Sequence, residues 1–283
     1  MSDMRFGFVT CVQLGLSCMD AIYEVGGRLD LAVTLNDDQA VSKVGRVYLD
    51  EFCERRGIPL VKSRNINDAD VVEAVKAADI DWLFVIGWSQ IAREEILSAP
   101  KSGVLGMHPS LLPVGRGRAA IPWAILKGLE QTGVTLFKLG DGVDTGEIVA
   151  QQVIPIDQTT DAEVLYRAVD QAHISLMKTA FPELAEGRLL ARAQDERLAT
   201  YWPKRSPEDG AIDLDGSVQD AERLVRAVTR PYPGAFYFDD QGRKVVIWKA
   251  KVVSDMREVG VERRLVFGDG VLVLVEWDRV GPD

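Results

Sequence analysis

Histidine and cysteine are scarce in this sequence, two and three among 283 residues. The cysteines, Cys11, Cys18 and Cys53, are odd in number, scattered, and form no CxxC pair. That pattern argues against both a disulfide framework and a zinc site, and no metal is expected. No run of 18 apolar residues occurs, so a transmembrane helix is not expected. The opening Met1–Phe6 lacks the basic and long apolar regions of a signal peptide, and a cytoplasmic location in a reducing compartment is the expectation. Basic charge is also in short supply. Thirty-three Lys and Arg face 43 Asp and Glu, a net charge of −10. Nucleic-acid binding rests on Lys and Arg, so this balance disfavours it, and it disfavours membrane-surface binding for the same reason. A GxGxxG fingerprint is missing as well: the first turn reads Cys11-Val12-Gln13-Leu14-Gly15-Leu16, which weakens a dinucleotide-binding reading.

Apolar residues make up 47% of the chain, enough for a packed core. Their order alternates between strand and helix patterns. Residues 5–10, 30–35, 59–61, 82–86 and 103–107 read as strands. Residues 15–26, 44–56, 68–78 and 119–129 read as helices; in the first, Leu16, Met19, Ile22 and Val25 recur at three-residue steps. This order predicts βαβ units and a mostly parallel sheet with helices on both faces. Two antiparallel strands follow at 132–139 and 147–154, then a long helix over 161–184 with Asp161 as its N-cap. Residues 187–205 are polar and irregular. Beyond them, 244–253, 263–267 and 271–277 are rich in β-branched residues. The expected division is a large α/β domain over 1–200 and a small β-rich domain over 201–283.

In open parallel sheets ligands sit beyond the carboxyl ends of the strands. The richest chemistry lies at such an end, in Gly106-Met107-His108-Pro109-Ser110-Leu111-Leu112-Pro113-Val114-Gly115-Arg116-Gly117-Arg118. Two prolines and several glycines there impose a backbone path that a plain connection would not need. Asp144 follows in the Gly-rich loop Gly140-Asp141-Gly142-Val143-Asp144-Thr145-Gly146. A histidine and a carboxylate can form an acid–base pair, suited to acyl transfer onto an amine. The plainer alternative is a strand-end histidine and a turn-forming aspartate. His173, in the long helix, reads as a packing residue. Arg116 and Arg118 suit a diphosphate or carboxylate, or else a solvated surface.

The run HPSLLP-x-x-RGRAAIPWAI, followed by TGVTLFKLGDGVDTGEIVAQ, resembles the folate-dependent formyltransferase family. The similarity spans most of residues 5–155. Segments Tyr201–Arg205, Asp209-Gly210 and Thr229–Phe236 resemble the C-terminal part of its sugar-nucleotide branch. The resemblance implies a Rossmann-like domain that binds N10-formyltetrahydrofolate, with His108 and Asp144 as catalytic residues. It implies cofactor contacts from Ile86, Gly87, Trp88 and Ser89 on one side and from Asp141, Gly142 and Val143 on the other. It adds Thr10, Ser110, Arg116 and Arg118 as candidate contacts to the amine substrate. One position departs from the family pattern: its asparagine falls on Gly106. Ser89, Gln90 or a backbone N–H then has to hold the formyl oxygen, or another group is transferred, or the chain binds without turnover.

The resulting expectation is transfer of a formyl group to a primary amine, foremost an amino sugar carried on a nucleoside diphosphate. Formylation of methionyl-tRNA or of a small amine, and a non-catalytic folate or sugar-nucleotide binding protein, remain open at this stage. The β-rich C-terminal region is a candidate homodimer surface.

Overall fold

A computed structural model describes residues 4–39, 45–253 and 263–280. In chain order the strands and helices are β1 (Phe6–Val9), α1 (Gln13–Glu24), β2 (Leu31–Leu35), α2 (Asp50–Arg56), β3 (Leu60–Ser63), α3 (Ala69–Ala77), β4 (Trp82–Val85), α4 (Glu94–Leu97), β5 (Gly103–His108), β6 (Arg116–Gly117), α5 (Ala120–Leu126), β7 (Gln131–Lys138), β8 (Ile148–Pro155), α6 (Ala162–Ala185), β9 (Tyr201–Trp202), α7 (Val218–Val228), β10 (Ala235–Phe238), β11 (Lys244–Val253), β12 (Arg264–Phe267) and β13 (Gly270–Val280). The chain forms two compact units, each discontinuous in sequence. The first contains 1–117, 133–154 and 168–201; the second contains 118–132, 155–167 and 202–283.

The first unit is built on a seven-stranded sheet of order β3-β2-β1-β4-β5-β7-β8. Pairing is parallel from β3 through β5 and antiparallel between β5 and β7. β1, β2 and β4 are buried at every residue, as strands covered on both faces must be. The strand order reverses direction at β1 and β4, which opens the ligand crevice beyond their carboxyl ends. The Rossmann-like fold class expected from the sequence is therefore the observed one.

Two local differences are instructive. The helix expected over 44–56 begins only at Asp50, and residue 44 lies outside the described residues. Arg46 instead bridges to Val12, and the Val47 N–H donates to the Cys11 carbonyl. Hydrogen bonds to the first turn thus replace those a helix would have made. Asp161 does cap α6: its Oδ1 accepts the Val164 N–H at 2.9 Å.

In the second unit four strands pair in the order β10-β11-β13-β12, all antiparallel. Sequence reading expected only β-structure here, and α7 is the addition. Its signal was legible: Val218, Ala221, Val225 and Val228 are buried at helical spacing, and the Ser217 hydroxyl accepts the Asp220 N–H as an N-cap. The β-branched stretches on either side masked it.

His173, on α6 in the first unit, is buried with Nδ1–H donating to the Val169 carbonyl at 2.8 Å. Burial is the main cause that lowers its pKa to about 4 from 6.5. An unfolded chain takes up this proton below pH 6.5 and the folded chain only near pH 4, so stability is lost as pH falls through that window. The full contribution is about 3 kcal/mol. Denaturant unfolding at pH 7 and pH 4.5 should show a smaller acid-induced loss in His173→Leu than in the wild type. Equal losses would remove His173 from the acid response.

Candidate active site

The loop after β5 is held by hydrogen bonds rather than by an apolar interior of its own. The Ser110 N–H donates to the His108 carbonyl, and the Ser110 hydroxyl donates to the Val114 carbonyl at 2.7 Å. The Thr135 hydroxyl donates to the Ser110 carbonyl and accepts the Leu112 N–H. Gln151 closes the set by donating to the Leu112 carbonyl and to the Thr135 hydroxyl. The chain then turns through Gly115, at φ +76°.

That turn aims the Gly115 carbonyl at His108, whose Nε2 lies 2.7 Å away. A carbonyl only accepts, so Nε2 carries the hydrogen in the neutral ring. Nδ1 then presents its lone pair to Asp144, with Oδ2 at 3.5 Å. Both side chains are largely shielded, at 10% and 17% exposure. Asp144 itself stands at φ +55°, a left-handed conformation that Asp tolerates better than most residues. Its Oδ2 accepts the Gly117 N–H at 2.8 Å. Oδ1 has no hydrogen-bond partner among the described residues. A proton delivered to this pair makes an imidazolium facing a carboxylate, so the arrangement can accept a proton and keep the resulting charge in place.

The Asp144 loop closes tightly because Gly146 has no side chain. A Cβ there would lie 1.7 Å from the Lys138 carbonyl oxygen. Lys138, the last residue of β7, in turn donates its N–H to the Glu147 carbonyl.

Several side chains expected as ligand contacts have other work. Ile86 is fully buried, so it offers no face to a ligand. Thr10 is fully buried too, and a Cβ on Gly15 would lie 1.9 Å from its hydroxyl; it packs beneath α1. Ser110 spends its hydroxyl within its own loop. Arg116, expected to meet a diphosphate or carboxylate, is 0% exposed. Its guanidinium donates to Gln194, Glu196 and Tyr201. Arg118 belongs to the second unit, where its N–H donates to the Trp202 carbonyl. Gln90, one candidate to hold the formyl oxygen, accepts from the Ile66 N–H and Trp88 Nε1–H and donates to the Arg64 carbonyl. Gly87, Ser89, Asp141, Gly142 and Val143 are exposed, and Trp88 is half-buried.

Sequence reading does not reach Gln194, Glu196 and Thr200, which fall in the irregular stretch before residue 205, and it places Tyr201 only in the Tyr201–Arg205 segment; nothing in the sequence ties any of them to Arg116. A cavity of about 640 Å³ lies in the second unit, lined by Arg223, Arg226, Trp248 and Lys251 among others. It contains neither His108 nor Asp144, and the chemistry is assigned to the crevice of the first unit. Among the described residues no group of His, Cys, Asp and Glu could hold a metal ion, and no helix is long and apolar enough to cross a membrane.

Comparison with known proteins identifies the family and the fold. The family model described as formyl transferase matches residues 37–181, half of the chain, and the one described as formyl transferase, C-terminal domain, matches 204–275. The chain belongs to the formyl transferase family. Among solved structures, it resembles an N-formyltransferase from Helicobacter canadensis in complex with folinic acid and dTDP-3-aminofucose. That likeness has TM-score 0.72 and 17% identity, over 96% of this chain and 98% of the other. It also resembles methionyl-tRNA formyltransferase from Clostridium thermocellum, with TM-score 0.64 and 17% identity over 99% and 100% of the two chains. HypX from Aquifex aeolicus, in complex with tetrahydrofolic acid, matches with TM-score 0.67 and 20% identity over 98% of this chain and 44% of that one. The chain thus spans less than half of HypX.

A Cβ on Gly106 would lie 2.8 Å from a terminal methyl of Leu139, a partly buried side chain that would have to shift to admit a larger residue. Gly106→Asn should destabilise by about 1–3 kcal/mol through overpacking. Combined with Leu139→Ala, its cost should fall short of the sum of the single changes by about 1 kcal/mol. Denaturant unfolding of the three variants checks this, and simple additivity would remove Leu139 as the obstacle.

Proposed function

We propose that this formyl transferase moves a formyl group from N10-formyltetrahydrofolate to a primary amine, foremost an amino sugar on a nucleoside diphosphate. The observation that carries the reading is the shielded His108–Asp144 pair beyond the carboxyl end of β5. The folate co-substrate supplies a one-carbon acyl group at the formyl level of oxidation. The exposed backbone of Gly87 and Ser89 with Trp88, and that of Asp141 to Val143, would receive its ring.

The residues of the pair divide the work by atom. Asp144 Oδ1 accepts an N–H of the incoming amine and orients its lone pair. His108 Nδ1 takes the proton that the nitrogen sheds on attack and hands it to N10 of the departing tetrahydrofolate as the C–N10 bond breaks, while Nε2–H stays on the Gly115 carbonyl. The imidazolium so formed is stabilised by Asp144 and places positive charge where acyl transfer builds negative charge. With Gly106 contributing no side chain, a larger share of that stabilisation falls on His108 than on a neutral amide donor.

The sugar-nucleotide reading draws on the Thr229–Phe236 segment and the net charge of −10, which opposes a tRNA. It draws also on the Helicobacter canadensis relative, whose complex contains dTDP-3-aminofucose. Incubation with N10-formyltetrahydrofolate and a panel of nucleotide-linked amino sugars, read by tetrahydrofolate release and product mass, tests it. The expected result is the gain of one formyl mass on a sugar nucleotide. His108→Ala and Asp144→Asn should each lower kcat by about a thousandfold or more, since proton transfer and charge stabilisation fail together. Folate binding without transfer to any amine would sink the enzymatic reading and leave the binding one.

A further inference from the structure

We infer that Gln194 is a positioning residue for Asp144, and that the stretch 194–201 sets the geometry of the reacting pair. The inference takes its meaning from the reading of His108 and Asp144 as the proton-handling pair. It concerns residues outside both family segments, which end at 181 and resume at 204.

The hydrogen-bond capacity of Gln194 is fully used. Its amide nitrogen donates to the Asp144 carbonyl at 2.8 Å and to the Gly146 carbonyl at 2.7 Å. Its amide oxygen accepts from Arg116 Nε at 3.1 Å and from Nη2 at 2.8 Å. This fixes which end of the amide is which, because a guanidinium only donates and a carbonyl only accepts. Arg116 is equally saturated. Its remaining three N–H groups go to Glu196 Oε1 at 2.6 Å, Glu196 Oε2 at 2.8 Å and the Tyr201 hydroxyl at 2.8 Å.

The same stretch also holds the histidine side. The Gly115 N–H donates to the Thr200 hydroxyl at 2.9 Å, and the Arg116 N–H donates to the Thr200 carbonyl. Gly115 is the residue whose carbonyl holds His108 Nε2. Residues 194–201 therefore grip the partner of His108 at one end and the backbone of Asp144 at the other. The 3.5 Å between Nδ1 and Oδ2 is the distance between two groups anchored to one short segment. Asp144 stands in a left-handed conformation, and the two contacts hold its own carbonyl and that of Gly146 just after it.

A neutral amide suits this task. It holds the loop without adding charge beside the Asp144 carboxylate, while Glu196 balances the charge of Arg116. An arginine reaching Asp144 directly would pair with the carboxylate and make it a poorer proton acceptor.

The test uses Gln194→Met, Gln194→Glu and Arg116→Lys in the full chain, assayed with N10-formyltetrahydrofolate and a dTDP-linked amino sugar. Gln194→Met keeps length and bulk but removes all four hydrogen bonds. It should lower kcat ten- to a hundredfold with both KM values within threefold, and lower Tm as well, because two Arg116 N–H groups lose their partner. Gln194→Glu should be lower still, because it sets a carboxylate against two carbonyl oxygens. Arg116→Lys, which lacks the fork that meets Gln194 and Glu196 together, should not restore the rate. Full activity in Gln194→Met, or a change confined to KM, would overturn the inference. A crystal structure of Gln194→Met supplies a readout independent of turnover. Displacement of the 140–146 loop and a changed Nδ1–Oδ2 separation support positioning, and an unmoved pair overturns it. Wild-type protein that transfers no formyl group would overturn the functional reading alone, and the crystal structure would still decide the role of Gln194.

Discussion

A guanidinium removed from water has to have its charge balanced and every N–H met, or it costs several kcal/mol. Arg116 meets that demand with one carboxylate, one amide and one phenol, all from residues 194–201. Everything that gives the crevice its chemistry hangs on this arrangement. Arg116 orients Gln194, Gln194 holds the Asp144 loop, and the backbone beside Arg116 carries the carbonyl that fixes the His108 ring. The ion pair with Glu196, whose carboxylate is 65% exposed, is weak evidence of stability in itself. Here its evident contribution is geometric, since breaking it would release both halves of the reacting pair together.

The site is economical in its use of charge. The groups that touch the pair and its loops act through neutral contacts (backbone N–H and C=O groups, the amide of Gln194 and the hydroxyls of Ser110, Thr135 and Thr200), while the charged Arg116–Glu196 pair stands one step behind them. Position 106 continues the theme, because Leu139 would have to shift to admit a polar side chain there.

The parts of this arrangement that sequence reading reached share a property. The buried strands, the crevice at their carboxyl ends and the His108 and Asp144 loops are each encoded in a contiguous run with its own pattern. Helix α7 was encoded just as locally, by Ser217 and the spacing from Val218 to Val228, and was overlooked beneath its β-rich neighbours. Arg116 is a different case. Its Gly-rich context reads as a ligand loop, and nothing within it announces that Glu196, eighty residues later, will take its charge. Thr10 and Ile86 show a related limit of local pattern: a strand-end position suggests access to the crevice, and only the packing of α1 and the sheet buries the two side chains. Long-range pairings between aperiodic segments leave no trace in a single sequence.

The order in which these pieces leave the ribosome has its own consequence. The five parallel strands are synthesised before β7, so the outer edge of β5, the strand that ends in His108, stays unpaired until residues 131–138 emerge. Arg116 is synthesised well before its counterion and has to remain hydrated in the meantime. The reaction centre therefore closes late, when residues 194–201 arrive and draw the guanidinium inward. A nascent chain shorter than this carries His108 and Asp144 without the frame that sets them 3.5 Å apart, so premature termination leaves fragments that bear the motif and lack its geometry.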